Sequence, residues 1–425
     1  MIAWLLISFF VLLFLGVPIA MSLGLSAMGG ILFLGGGSTV TIAQRMFEGM
    51  NSFALLAIPL YTFAGFTMSK GGISKRLMDF CYSIVGHIYG GLAHVNVLSS
   101  MIFAGISGSA VADTAGVSGM FMPEMIRKGY SKNFTVAVTA ISSTIGIIIP
   151  PSIPMVVIAG ICGISTGKLF LGGIIPGILC GLAQMIVSYF LAKKEGVPKE
   201  PGHFTIGPVL HGLWESWPAL LMPIIIVGTI TMGIVSPTEA GVIAVVYGLF
   251  AGGIIYRELK WEDIKFAFAE TVRTSGRIFI VIGAAKLYTV MLTTAGFDKW
   301  VAKTMLGFST NPTVILIMIL LIFFIVTMFM ESIATLTLFM PILYPIALGV
   351  GINPIVLSVL ITVVIGIGLV TPPVGMCIYV ACDLMDTTVG EVFPTLEPFI
   401  AATFVCIALM VAFPQLILLP TYLMA

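Results

Sequence analysis

The chain has 425 residues, of which 59% are hydrophobic and only 9% charged, and its 19 basic and 18 acidic side chains leave a net charge of +1. A soluble domain carries about 25% charged residues, so this chain lacks the polar surface to stand in water. A soluble enzyme, a nucleic-acid binder, a disordered protein and a single-anchor receptor are excluded.

Apolar stretches fall at 2–17, 19–36, 52–69, 91–108, 115–126, 134–162, 169–192, 216–235, 237–256, 276–295, 312–330, 334–350, 354–381 and 398–420. At about 20–25 residues per crossing there is room for roughly 12–14 membrane segments. The stretches run without the dyad alternation of a membrane β-barrel. The first has no basic residue before it and reads as a retained membrane segment, not a cleaved signal. Between the stretches lie two amphipathic pieces. One, near Thr39–Met50, carries only the cation Arg45; the other, 258–275, sets Trp261, Ile264, Phe268 and Val272 on one stripe, with Lys260, Asp263, Glu270 and Arg273 off it. Helices of that kind lie along a membrane surface. The six cysteines are scattered, without a CxxC pair, and read as buried thiols and not as disulfides or metal ligands.

Basic residues cluster at Lys70/Lys75/Arg76, Arg127/Lys128/Lys132, Lys193/Lys194/Lys199 and Arg257/Lys260/Lys265/Arg273. Placing all four clusters in the cytoplasm sets thirteen cations inside against four outside (Arg45, Lys168, Lys299, Lys303), with Arg277 and Lys286 within a segment. That asymmetry predicts the orientation: both termini are periplasmic, and the polar linker 193–212 is cytoplasmic.

The two sides of the linker repeat one another. Asp113 precedes Phe121-Met122-Pro123 as Glu331 precedes Phe339-Met340-Pro341, at an offset of 218; Gly146…Pro150-Pro151 matches Gly368…Pro372-Pro373, at an offset of 222. The first half, 1–192, starts outside and the second, 213–425, starts inside, so the repeats are inverted. Each contains scaffold helices, an arm helix (outer in the first half, 258–275 inside in the second), a re-entrant hairpin (about 91–126 and 312–350) and a broken helix (134–162 and 354–381). The predicted fold is an all-α polytopic membrane protein of two inverted-topology repeats, the build of secondary transporters, whose sites lie at mid-membrane between the repeats.

The Pro-Pro breaks carry the chemistry. Proline has no N–H to donate, so the carbonyls of Gly146, Ile147, Gly368 and Leu369 lose helical partners, and Ile149 and Thr371 are pushed from helical geometry. Irregular backbone at this depth lines a cavity or is buried in protein, and its oxygens suit Na⁺. The hairpin tips, 105–114 and 330–337, add Ser107, Ser109, Ser332 and Thr335. An acid within the membrane is functional by default, so Asp113 and Glu331 are candidates for ion coupling; the alternative is that they cap hairpin helices, which a carboxylate also favours. An anionic substrate suits converging helix N-termini. Its candidate contacts are Ser142, Ser143, Thr144 and Ser152 at the first break, with Ser332, Thr335 and Pro372 at the second. Gly105-Ile-Ser107-Gly108 matches the nucleophile motif of intramembrane serine proteases, but the only histidines after Ser107, His203 and His211, lie in or at the edge of the polar linker. No base for such chemistry is available, and a hydrolase is set aside.

The runs Ile106-Ser-Gly-Ser-Ala-Val-Ala-Asp-Thr-Ala115, Ile149-Pro-Pro-Ser-Ile-Pro154, Ser236-Pro-Thr-Glu-Ala-Gly241 and Val370-Thr-Pro-Pro-Val-Gly375, in that order, resemble the large membrane subunit of TRAP (tripartite ATP-independent periplasmic) transporters. The resemblance spans essentially the whole chain. It implies a sodium-driven elevator in the bacterial inner membrane, with no other cofactor, taking up an organic acid such as sialic acid or a C4-dicarboxylate. It also implies two partners: a small four-helix membrane subunit, expected here as a separate chain, and a periplasmic binding protein that delivers substrate. By motif, the first sodium site maps to Ser107, Ser109 and Asp113 with the Gly146–Pro150 carbonyls, Ile149 among them. The second maps to Glu331 and Thr335 with Gly366, Gly368 and Thr371. A stand-alone Na⁺/carboxylate symporter is the alternative on the same architecture.

Overall fold

The computed structural model describes residues 1–34, 38–197 and 205–424; 198–204 of the predicted linker, with Lys199, lie outside the described residues. Among the described residues the chain is helical throughout, with no strand. The first half runs α1 (Ile2–Phe14), α2 (Ile19–Leu34), α3 (Thr39–Met50), α4 (Ala57–Lys70), α5 (Ile73–Val85), α6 (Gly91–Ser107), α7 (Ala110–Arg127), α8 (Lys132–Ser143), α9 (Ile153–Cys162) and α10 (Thr166–Glu195). The second runs α11 (Ile206–Thr231), α12 (Pro237–Phe250), α13 (Trp261–Thr294), α14 (Phe297–Phe308), α15 (Pro312–Thr327), α16 (Ser332–Gly349), α17 (Pro354–Gly368), α18 (Met376–Asp383) and α19 (Val389–Ala412). Among the described residues, seven helical spans are long and apolar enough to cross a bilayer alone, and six further apolar helices have 10–17 residues. Short segments are what hairpins and broken helices require, since each element reaches only part of the way across.

Caps set the helix boundaries and expose the repeat. Ser131 and Asn353 accept main-chain N–H groups at the starts of α8 and α17, 222 positions apart. Ser109 caps α7 and Glu331 caps α16, again 222 apart. The Phe-Met-Pro match at 218 is therefore four residues, one helical turn, out of register with the folded chain. Pro123 answers to Pro345, Asp113 to Thr335, and Ser109 to Glu331. Short motifs tolerate such a slip because the apolar face of a helix repeats nearly every four residues.

Packing between the halves is reciprocal. Helix α7 of the first half packs against α18 of the second, and α16 of the second packs against α9 of the first; α8 meets α19 as α17 meets α10. The scaffold pairs α4 with α12 and α2 with α13. A large core of fully buried aliphatic residues from α8, α9, α16 and α17 surrounds the breaks.

The halves differ at the arm. In the first, α3 is separated from α4 by Asn51-Ser52 and a short 3₁₀ turn. In the second, the predicted arm 258–275 and the crossing segment after it form one 34-residue helix, α13, about 51 Å long. No proline interrupts the chain near 275, and the lone Gly276 costs only about 1 kcal/mol in a helix. The stripe residues Trp261, Phe268 and Val272 are exposed, as an apolar face turned to lipid should be. Lys286 packs its stem on Gly49 of α3 and so belongs to the scaffold, away from the hairpin tips.

Candidate functional site: two hairpin tips against two helix breaks

Both hairpins meet the break of their own half through the main chain. The N–H of Ile153, at the start of α9, donates to the carbonyl of Gly108 at the tip between α6 and α7 (3.2 Å). In the second half the N–H of Val374 donates to Met328 O at the tip between α15 and α16 (3.0 Å). Gly108 has φ +64°, and a Cβ there would lie 2.8 Å from Pro151 O, so only glycine permits this approach. The two breaks also touch one another, since a Cβ on Gly366 would stand 3.3 Å from Thr144 Cβ and 3.5 Å from Thr144 O. Pro150-Pro151 and Pro372-Pro373 are both cis.

Most of the carbonyls that proline orphans find new partners. Ile147 O accepts the Ser152 hydroxyl (2.5 Å), Leu369 O accepts Cys377 N–H (2.9 Å), and Gly368 O accepts Thr371 N–H (3.2 Å). Ile149 keeps a main-chain bond to Ile145 O (3.0 Å), and Thr371 gives its hydroxyl to Ile367 O (2.7 Å). The expectation of four bare carbonyls is corrected: the Ser152 hydroxyl and two main-chain N–H groups re-pair three of them, because a buried polar group left alone costs free energy comparable to a lost hydrogen bond. Gly146 O, the fourth, also loses its helical partner, because Pro150 has no N–H to give.

At Gly146 stands Asp113. Its carboxylate is 1% exposed, and Oδ2 rests directly on Gly146 where a Cβ would otherwise project. Next to it the hydroxyls of Thr114 and Ser143 are 2.5 Å apart. From the other half, the Cys377 thiol lies within hydrogen-bonding reach of Thr114 and Ser143. A carboxylate, hydroxyls and main-chain oxygen form a hard donor set suited to an alkali cation. Among the described residues no group of three His, Cys, Asp or Glu side chains converges as a transition-metal site would need.

Glu331 is arranged differently. Its Oε2 accepts N–H from Ile333 (2.9 Å) and Ala334 (3.3 Å), and its Oε1 accepts the Ser332 hydroxyl (2.6 Å). It is the N-cap of α16, and Thr335, one turn on, donates its hydroxyl back to Glu331 O (3.0 Å). In the first half Ser109 does the capping, accepting Ala112 N–H (3.4 Å), and the acid sits one turn deeper. A capping carboxylate has four lone-pair directions, so Glu331 retains acceptor capacity beyond the three bonds it makes.

The predicted substrate contacts divide. Ser143 and Thr144 are buried at the junction of the breaks, each giving its hydroxyl to a carbonyl one turn back in α8 (2.8 and 2.7 Å). Ser152 is fully buried and spent on Ile147 O and Met155 N–H. At the second break Pro372 is half-buried, whereas Pro373 and Val374 are exposed; this break opens outward while Pro150, Pro151 and Ser152 are sealed. The side chain of Ser107 lies outside the described residues. Sequence reasoning missed Cys377 and undervalued Thr114; the signal for Cys377 was its place four residues after a Pro-Pro break. A cavity of about 360 Å³ opens elsewhere, in the scaffold, among Arg76, Trp214, Trp217 and Tyr256.

Paired hairpin tips set against paired helix breaks within an all-helical, apolar chain define a polytopic membrane transport protein. A family profile described as "Tripartite ATP-independent periplasmic transporter, DctM component" matches residues 6–416, and the chain belongs to that family: a transport protein of the inner membrane, not an enzyme. It is 37% identical over 92% of its length to the isethionate TRAP transporter permease protein DctMQ of Oleidesulfovibrio alaskensis, of which it spans 62%. It is 35% identical to the sialic acid TRAP transporter large permease protein SiaM of Vibrio cholerae, covering 96% of this chain and 95% of the relative. It is also 35% identical to the C4-dicarboxylate TRAP transporter large permease protein DctM of Pseudomonas aeruginosa, covering 95% and 94%. Among solved structures, the Alcanivorax borkumensis YdaH transporter is similar in fold, with a TM-score of 0.60, 13% identity and 86% of each chain covered.

Proposed function

We propose that the chain is the large membrane subunit of a sodium-coupled uptake system for an organic acid anion, working by an elevator movement of the hairpins and broken helices against the scaffold. The reading includes two partners, a small membrane subunit and a periplasmic binding protein that delivers the substrate. The observation that carries it is Asp113, a buried carboxylate lying on the backbone of a broken helix, whose chain neighbour Thr114 pairs with Ser143 of that helix. An intramembrane acid of that kind marks an ion path. The relatives are named for isethionate, sialic acid and C4-dicarboxylates, all of them acids, which supports the substrate class.

Gly146 main chain, Asp113, Ser109 and Thr114 make up the first ion site on this reading; Glu331, Thr335 and the Gly366–Thr371 turn make up the second. Substrate meets the more open second break, near Pro372 and Ser332. The test is uptake into proteoliposomes holding the chain with its small subunit and binding protein. Uptake should require an inward sodium gradient and fall sharply in Asp113→Ala. Undiminished uptake with K⁺ in place of Na⁺ would sink the coupling, and full transport of free acid without the binding protein would favour a stand-alone symporter.

A further inference from the structure

The two hairpins are fastened to their broken helices in unequal ways. In the first half a run of buried side chains stitches α6 and α7 to α8. Asn96 of α6, with no exposed surface, donates its amide N–H to the Thr139 hydroxyl (2.7 Å). Its amide oxygen accepts the Ser142 hydroxyl (3.0 Å). Ser100, one turn further along α6, donates to Ser142 (3.1 Å). The next residue of α8, Ser143, pairs with Thr114 of α7 (2.5 Å), the neighbour of Asp113. Among the described residues no side-chain hydrogen bond joins the second hairpin to α17. There Thr337, Ser358 and Thr362 each give their hydroxyl to a carbonyl four residues back in the same helix.

An amide in hydrocarbon is tolerated when both of its ends are satisfied. Asn96 meets that condition by bridging two turns of the helix that bears Ser143 and Thr144. We propose that Asn96 is a positioning residue for the ion site: it fixes the first hairpin on α8, so that Asp113 is held over Gly146 before an ion arrives. The inference rests on the sodium-coupled reading of that site. Preorganisation lowers the ordering cost of binding, so loss of Asn96 acts on ion affinity and not on the substrate contacts.

The experiment compares Asn96→Leu and Thr139→Val, near-isosteric changes that break the link, with Thr139→Ser, which keeps the hydroxyl, and with Thr362→Val on the second half. Each is read as uptake per unit of inserted protein against sodium concentration. At the roughly 1 kcal/mol of a typical buried hydrogen bond, half-saturating sodium rises about fivefold in the first two variants. Thr139→Ser and Thr362→Val stay at the wild-type value, and half-saturation for substrate at high sodium is unmoved. A drop in maximal rate alone, or an unchanged sodium requirement, overturns the proposal. Hydrogen exchange at the tip amides 108–113 without sodium gives a second reading: Asn96→Leu speeds it, and equal rates in wild type and variant also overturn the proposal. A wild-type protein that ignores sodium while the variant's tip exchanges faster would instead remove the coupling and leave the fastening.

Discussion

Replacing Gly146 by alanine tests the site where its geometry is tightest. The new Cβ would stand 3.1 Å from Asp113 Cγ and inside the contact shell of Oδ2. The carboxylate must withdraw by about an ångström to restore an ordinary separation. Nothing in the backbone opposes the change, because no positive φ is required at Gly146, so the effect is confined to the displaced acid. A hydrogen bond or contact to a charged group is worth about 1.5–3 kcal/mol, which at 1.4 kcal/mol per decade is roughly a 10- to 100-fold loss of ion affinity. Two companions grade the response. Gly366→Ala would bring its Cβ to 3.3 Å from Thr144 Cβ, and Gly160→Ala meets nothing nearer than 3.8 Å. Sodium titration of uptake should rank the requirement as Gly146→Ala far above Gly366→Ala, with Gly160→Ala at wild type. A Gly146→Ala protein with normal sodium half-saturation would show that Asp113 does not hold the ion against this backbone.

Two further outcomes follow from the unequal acids. Glu331→Ala should lower the stability of the purified protein by about 0.5–2 kcal/mol, the usual cost of a lost cap, and Glu331→Gln should recover most of it, since the amide oxygen still accepts N–H; equal melting temperatures for the two variants would contradict the capping role. Transplanting the first half's pattern through Glu331→Ser with Thr335→Asp should transport better than either change alone, and a double variant no better than its worse parent would mean that the halves are not in the 222-residue register.

Much of this architecture is legible in the chain because lipid restricts it so strongly. Apolar length and Pro-Pro breaks leave few alternatives to broken helices, and Asp113 and Glu331 stand out where charge is scarce. The register of the hairpins was not legible, although that of the breaks was. Phe121-Met122-Pro123 and Phe339-Met340-Pro341 are the same letters one turn apart in the fold, and the caps at Ser109, Ser131, Glu331 and Asn353 show that the 222 offset of the Pro-Pro breaks holds in the hairpins too. The re-pairing of Ile147, Gly368 and Leu369 was hidden too, since it depends on the loop doubling back to present Ser152 and the N–H groups of Thr371 and Cys377. Asn96 carried a signal, a lone amide within the apolar run 91–106, whose meaning appears only when α6 is laid on α8.

The corrected register explains why two acids that look equivalent do different work. Each hairpin places one carboxylate and one hydroxyl at the start of its second helix, but in exchanged positions. In the first half the hydroxyl of Ser109 serves the helix amides and leaves Asp113 one turn in, about 6 Å along the axis, against the broken backbone. In the second half Glu331 serves the amides, and Thr335 takes the inner position with its proton committed to Glu331 O. Both hairpin tips therefore carry one carboxylate, yet only the first directs it at the break. On the proposed reading, a cation at the first site would meet a carboxylate held in place by the α6–α8 link. On the same reading a cation at the second site would meet a carboxylate already engaged with helix amides, beside a break that faces outward. On the proposed reading, the sealed half is the one that holds the ion, and the more open half is the one that meets the delivered substrate.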